Sequence, residues 1–149
     1  MSATLDTATR PATTARTRAA SRVAAGAAVG LGLALVADTV AYALGNLGSP
    51  VRVVTGWAPD GADLSYGELV STAAVAIALG GVALWVLDRR GARGFRVWAI
   101  MAAVVAVLSA VPLFHLDVDL GSKLTLASMH LLTGAAAIAG QAFTRMRQD

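Results

Sequence analysis

Apolar residues in this chain neither alternate nor recur every third or fourth position; they run on. Residues 23–44, 69–87, 97–114 and 124–143 are four stretches almost free of charge. Each is close to the ~20 residues a helix needs to cross the ~30 Å hydrocarbon core of a bilayer. A β-barrel would need alternating rather than continuous apolar runs, and a bilayer leaves no water for stray backbone groups, so the stretches predict helices. The fold expected is all-α, an integral membrane antiparallel four-helix bundle.

The segments between the stretches are short. Residues 88–96 are charged and make a tight hairpin connection between the second and third spans. Residues 45–67 open with Gly45, Gly48 and Pro50, which end a helix, then read Val51-Arg52-Val53-Val54-Thr55 before the turn-prone Ala58-Pro59-Asp60-Gly61. Residues 115–120, His-Leu-Asp-Val-Asp-Leu, alternate strictly and end at Gly121, a strand pattern. Two strands at 51–55 and 115–120 would pair with each other as a small two-stranded extracellular sheet.

Charge orients the bundle. Of the 12 Lys and Arg residues, Arg10, Arg16, Arg18, Arg22, Arg89, Arg90, Arg93, Arg96, Arg145 and Arg147 fall on one side, against Arg52 and Lys123 on the other. The positive-inside rule then makes both termini and the 88–96 loop cytoplasmic. The outward side holds Asp60, Asp63, Glu68, Asp117 and Asp119, so the net charge of +3 averages a basic face and an acidic one. Nucleic-acid binding is a poor reading of that charge; the arginines suit topology and anionic lipid headgroups, and the bilayer is the expected partner. With 56% hydrophobic residues and a mean hydropathy of +0.66, the chain belongs to the membrane class. The absence of cysteine excludes disulfides and thiolate metal sites. Eleven Arg against one Lys, with heavy Ala, Val and Gly usage, points to a GC-rich bacterial gene and hence the bacterial plasma membrane.

Residues 1–21 are rich in Ala, Thr, Ser and Arg and read as a disordered cytoplasmic tail, residues 22–144 as the transmembrane domain and residues 145–149 as a second short tail. A cleaved signal peptide is the competing reading of the first span, since Ala41-Tyr42-Ala43 is an A-x-A pattern. Against it, the run exceeds a usual signal core and contains Asp38.

Asp38 is the least expected residue, because an ionisable group inside a span is costly and marks function or a specific interhelical contact. It sits about seven residues, roughly 10 Å, inside the outward end of the first span. His130 lies at a similar depth in the fourth, which runs the other way. If those helices are neighbours the two could form a buried proton-accepting pair, or His130 could serve as packing glue. Tyr42, one turn beyond Asp38, and Lys123, two turns before His130, could add a polar cluster at the outer mouth; an interfacial aromatic and a snorkelling lysine explain them equally well.

His115, Asp117 and Asp119 would share one face of an extended segment, a donor set that divalent metals accept, though a solvated strand face is the plainer reading. Gly26, Gly30 and Ala34 form a small-residue stripe of the G-x-x-x-G kind, able to pack the first span inside the bundle or against a second copy. Trp57 is expected at the outer interface, Trp85 and Trp98 at the inner one. No catalytic triad, phosphate loop, dinucleotide fingerprint or zinc motif is present, so no catalytic residue and no cofactor are assigned.

Around Leu124-Thr125-Leu126-Ala127-Ser128-Met129-His130-Leu131-Leu132-Thr133-Gly134 the chain resembles a family of small, uncharacterised four-span actinobacterial membrane proteins, a domain of unknown function with a Met-His-Leu pattern in the last span. The resemblance covers residues 22–144 and implies the four-span topology without implying an activity. Three function classes stand: a non-enzymatic protein that packs with itself or a partner, a transporter or proton-coupled channel subunit using Asp38 and His130, and a membrane enzyme acting on lipid or quinone. Plentiful small-residue packing and sparse polar chemistry favour the first.

Overall fold

Long runs of Ala, Leu, Val and Gly leave a membrane-embedded backbone one way to satisfy itself, by bonding within each segment. The computed structural model describes residues 10–55, 58–90 and 92–147. In it α1 (Arg10–Gly45), α2 (Tyr66–Leu87), α3 (Ala92–Ala110) and α4 (Leu120–Met146) are four helices long and apolar enough to cross a membrane. Their antiparallel order puts the turn after α2 and the ends of α1 and α4 at one end, where the arginines gather, and a β-hairpin at the other. Around the bundle the neighbours are α2, α1, α4 and α3, with the α1–α4 contact far the most extensive.

The outward-facing surface is apolar. Val36, Leu79, Val82, Ile100, Val105 and Leu108 are all at least 60% exposed, as side chains meeting lipid rather than water should be. Inside, small residues let the helices close: Ala34 and Leu84 are fully buried, and Trp98 is 4% exposed. Trp98, expected as an interfacial anchor, instead lies in the core beside Val23 and Leu84 and donates its indole N–H to the Gly80 carbonyl at 2.8 Å. A buried indole needs that acceptor. Trp57 lies outside the described residues, and Trp85 is partly exposed under the Arg89 guanidinium.

Helix starts follow side-chain caps. Ser65 and Glu68 make a reciprocal capping box at α2, and Asp119 caps α4 by accepting from the Ser122 amide at 2.9 Å. This corrects the second expected strand. Val111–His115 is a 3-10 turn that contains Pro112, and with Asp119 turned inward as a cap too few residues remain to extend. The sheet is a local hairpin, β1 (Arg52–Thr55) with antiparallel β2 (Ala58–Asp63), so the segment expected to turn is itself a strand. From Val53 to Thr55 the register advances two residues, against four from Ala62 to Ala58, and this irregularity absorbs Gly61 at φ +83°.

The expected disordered tail also needs correction. Residues 10–21 are the first turns of α1, because Ala and Arg are good helix formers and extending a formed helix costs little. At 36 residues, roughly 54 Å, α1 outreaches the bilayer core at the arginine end. Residues 1–9 lie outside the described part. At the far terminus α4 continues to Met146, into the first two residues of the second expected tail.

Candidate functional site in the seam between the first and last helices

The small-residue stripe decides how closely α1 and α4 approach. Gly30 faces the Ala136 carbonyl and the Ala137 Cα, at distances of 3.1 and 3.2 Å from where a Cβ would sit, and Gly26 faces the Gln141 and Thr144 side chains. Ala34 completes the stripe against Ala136 and Ile77. These three residues are thus used inside the chain. Gln141, 2% exposed, donates to the Val23 carbonyl at 2.9 Å, using a main-chain acceptor of α1 that already serves its own helix.

Asp38 lies in this seam, one turn nearer the hairpin end than Ala34, and is 2% exposed. The Thr133 hydroxyl of α4 donates to its Oδ2 at 2.6 Å. The other carboxylate oxygen, Oδ1, is enclosed and has no hydrogen-bond partner. His130, half-buried, stands within electrostatic reach of the carboxylate, but no hydrogen bond joins the two. Its Nδ1 lies 2.8 Å from the Leu126 carbonyl oxygen one turn back. The first and last helices therefore bring Asp38 and His130 into one neighbourhood, with Thr133 as the direct partner of the acid. Thr133 went unnoticed in the sequence, although it follows His130 by three residues and so shares its face.

The expected outer-mouth cluster does not assemble. The Tyr42 hydroxyl donates to the Leu64 carbonyl at 2.9 Å, and its ring packs on Tyr66, whose own hydroxyl is 3.0 Å from Thr39 Oγ1. Tyr42 thus faces α2 and the end of the hairpin, and Lys123 makes no side-chain hydrogen bond or ion pair among the described residues. Nor do His115, Asp117 and Asp119 converge; no group of three potential metal-ligating side chains exists among the described residues. Once the segment is a 3-10 turn and a bend, its alternation no longer points three side chains one way. Asp119 is instead bonded through Oδ2 to the Ser122 hydroxyl at 2.6 Å, and that hydroxyl accepts the Arg52 amide of β1 at 2.9 Å.

A second polar centre closes the arginine end. Asp88, in the 3-10 turn after α2, accepts from Arg22 of α1 through Oδ2 and from Arg145 of α4 through Oδ1, each at 2.5 Å. Its side chain is only 5% exposed, and the Arg145 guanidinium also stacks over Phe95 of α3. The carboxylate thus ties α1 and α4 to the turn after α2, and Arg145 extends the contact to α3. Sequence reading treated Asp88 only as part of a charged loop; its being the one acid among the four arginines of residues 88–96 was the available signal.

Four apolar spans around a sealed small-residue seam match a known sequence profile. The profile of DUF6069, a family of unknown function, aligns with residues 13–147, nearly the whole chain. The chain belongs to this family. No curated protein and no solved structure is detectably similar to it. For this DUF6069 member the alignment reaches past the four helices to include the Arg22–Asp88–Arg145 centre, the hairpin and the Asp38–Thr133 contact. Membership assigns no chemistry to any of them.

Proposed function

We propose that this chain is a non-enzymatic multi-pass protein of the bacterial plasma membrane, with both termini cytoplasmic, that works by helix packing with further copies of itself or with a partner. One observation carries the reading: five polar side chains of the bundle tie one helix to another. Asp38 is bonded to α4, Gln141 to α1, Trp98 to α2 and Thr39 to Tyr66 of α2, while Asp88 holds α1 and α4 together. In a bilayer such bonds contribute about 0.6 to 2 kcal/mol each and act as adhesion. α3 is the helix left most open, with 11% of its span buried against 28 to 33% for the others, and its Ile100, Met101 and Val104 face outward. It is the surface on which a second copy or a partner would pack.

The absence of cysteine makes a direct test simple. Single cysteines at Ile100 or Val104 of α3, oxidised in native membranes, are expected to trap a disulfide-linked complex that a cysteine at Leu79 of α2 does not. Equal cross-linking at all three positions, or none anywhere, would count against the reading.

A proton-coupled transporter subunit is the second reading, and the partnerless Asp38 Oδ1 beside His130 is what favours it. Toward the arginine end, however, the close approach of Gly30 and Gly140 fills the seam. Proton flux into proteoliposomes that Asp38→Asn or His130→Gln abolishes would establish transport over packing.

A further inference from the structure

Charge does not balance at the arginine end. Asp88 is the single carboxylate there among the described residues, and it answers two guanidiniums, Arg22 through Oδ2 and Arg145 through Oδ1. Each guanidinium spends one nitrogen, Nη2, on that contact. The Nε–H of each is enclosed and has no acceptor. Nη1 of each is neither enclosed nor hydrogen-bonded among the described residues, and the Arg22 and Arg145 side chains are 30% and 20% exposed. Two cations and one anion, partly out of water, leave one positive charge unanswered, which surroundings of low dielectric penalise.

The free edges are held in place. Phe95 covers one face of the Arg145 guanidinium at 4.6 Å, and a stacked guanidinium keeps its in-plane N–H groups available. Because Arg22 and Arg145 grip the same carboxylate, their Nη1 edges are fixed on either side of one residue. α2 ends at Leu87, so Asp88 lies where hydrocarbon gives way to headgroups. Trp85 and Phe143 belong to the same level: each is 39% exposed under a guanidinium, of Arg89 at 5.0 Å and of Arg147 at 4.2 Å.

We propose that Arg22 and Arg145 together bind one phosphate group through their Nη1 edges, with Asp88 holding the two guanidiniums in register. A phosphate diester brings the missing negative charge and offers two unesterified oxygens, one for each arginine. Basic pockets between helices at the arginine-rich side of a membrane are where headgroup phosphates settle. Arg96, at the same end, is exposed and makes no ion pair, so it attracts anions without fixing one. The inference does not depend on what packs against α3.

The test uses the full chain in maltoside micelles, a detergent without phosphate, and three probes: phosphatidylglycerol, diacylglycerol and inorganic phosphate. Melting temperature and the lipid retained in native mass spectra are the readouts. Phosphatidylglycerol is expected to stabilise the native chain saturably, at one molecule per chain, and diacylglycerol, which lacks the phosphate, is not. Stabilisation by inorganic phosphate would point to free phosphate as the natural source, and its absence to a headgroup. Arg145→Gln should weaken binding roughly tenfold or more, the contribution of a charged hydrogen bond, whereas Arg96→Gln should leave it nearly unchanged. If Arg145→Gln fails to fold, Arg145→Lys, which keeps the charge and loses the planar fork, takes its place. Asp88→Asn separates a binding site from a mere clasp. It removes the negative charge that a phosphate must approach, so this variant should bind more tightly and gain more in melting temperature. Should it unfold without lipid, phosphatidylglycerol must restore the fold and diacylglycerol must not. Equal losses in the Arg145 and Arg96 variants would overturn the proposal in favour of diffuse attraction. So would a native chain that phosphatidylglycerol stabilises no more than diacylglycerol, or an Asp88→Asn chain that gains no more than the native one.

Discussion

Gly140 of α4 lies flat against Gly30 of α1: a Cβ on Gly140 would fall 2.6 Å from the Gly30 Cα and 2.6 Å from the Gly26 carbonyl oxygen. Backbone meets backbone there, with no flexible side chain to yield. Gly140→Leu is therefore expected to force the seam apart and cost about 1 to 3 kcal/mol or more, the range for overpacking a close-packed interior. Gly32 has open space where a Cβ would go, so Gly32→Ala should be neutral or slightly stabilising. Reversible unfolding in mixed micelles, compared across the two variants, measures the difference; equal stability would mean that the seam is looser than its geometry.

Asp88 should be worth more to the fold than either arginine that it holds. Asp88→Asn removes the negative charge between two guanidiniums and leaves them facing each other. Breaking a fully buried ion pair from one side costs about 3 to 5 kcal/mol. Because the Arg22 and Arg145 side chains are 30% and 20% exposed, roughly 2 to 4 kcal/mol is expected here. Arg22→Gln or Arg145→Gln alone should cost less, and adding either to Asp88→Asn should cost less than the sum, because the positive charges no longer repel across an empty centre. Strict additivity of the unfolding free energies would contradict the clasp.

Asp119 gives an acid-sensitive joint at the hairpin end. Hydrogen bonds from the Ser122 hydroxyl and from the Ser122 backbone N–H hold its carboxyl below the ordinary value of 3.8. A depressed folded-state value means that the stabilisation is present above pH 3.8 and fades as the pH falls through the lower folded value. Acidification into that window should loosen the first turn of α4 and, because the same Ser122 hydroxyl accepts the Arg52 amide, the base of β1 as well. Hydrogen exchange at the Ser122 and Arg52 amides should accelerate together. Asp119→Asn, which can still cap, is expected to remove most of the acid sensitivity; independent acceleration of the two amides would break the proposed link.

The helices were legible because a bilayer reduces the choice of backbone to one. A run of about 20 apolar residues has no other way to satisfy its amides, so the spans could be read with their neighbours unknown. The cap at Asp119 was not read. His115 to Leu120 alternates as a strand should, but alternation is a weak signal over six residues and cannot reveal that one side chain will turn back onto its own helix. Asp38 and His130 were visible as costly exceptions inside spans, and their similar depth followed from helical rise alone. The partner of the acid was not: Thr133 is an ordinary residue in a membrane helix, and which of two hydroxyl or imidazole groups takes the carboxylate is settled by how α1 and α4 rotate. The packing of α3 on α2 buried Trp98, which by sequence was as good an interfacial residue as Trp85.

Four polar ties of the bundle share an origin in chain order. Thr133 serves Asp38, Gln141 serves the Val23 carbonyl, Arg145 completes the Asp88 centre and Ser122 receives the Arg52 amide, and all four belong to α4. During synthesis the first helix enters the membrane with a charged side chain that nothing yet answers, and waits through two more helices for its complement. A chain stopped before residue 120 would keep the Thr39–Tyr66 and Arg22–Asp88 ties of α1 but leave Asp38 without the Thr133 hydroxyl.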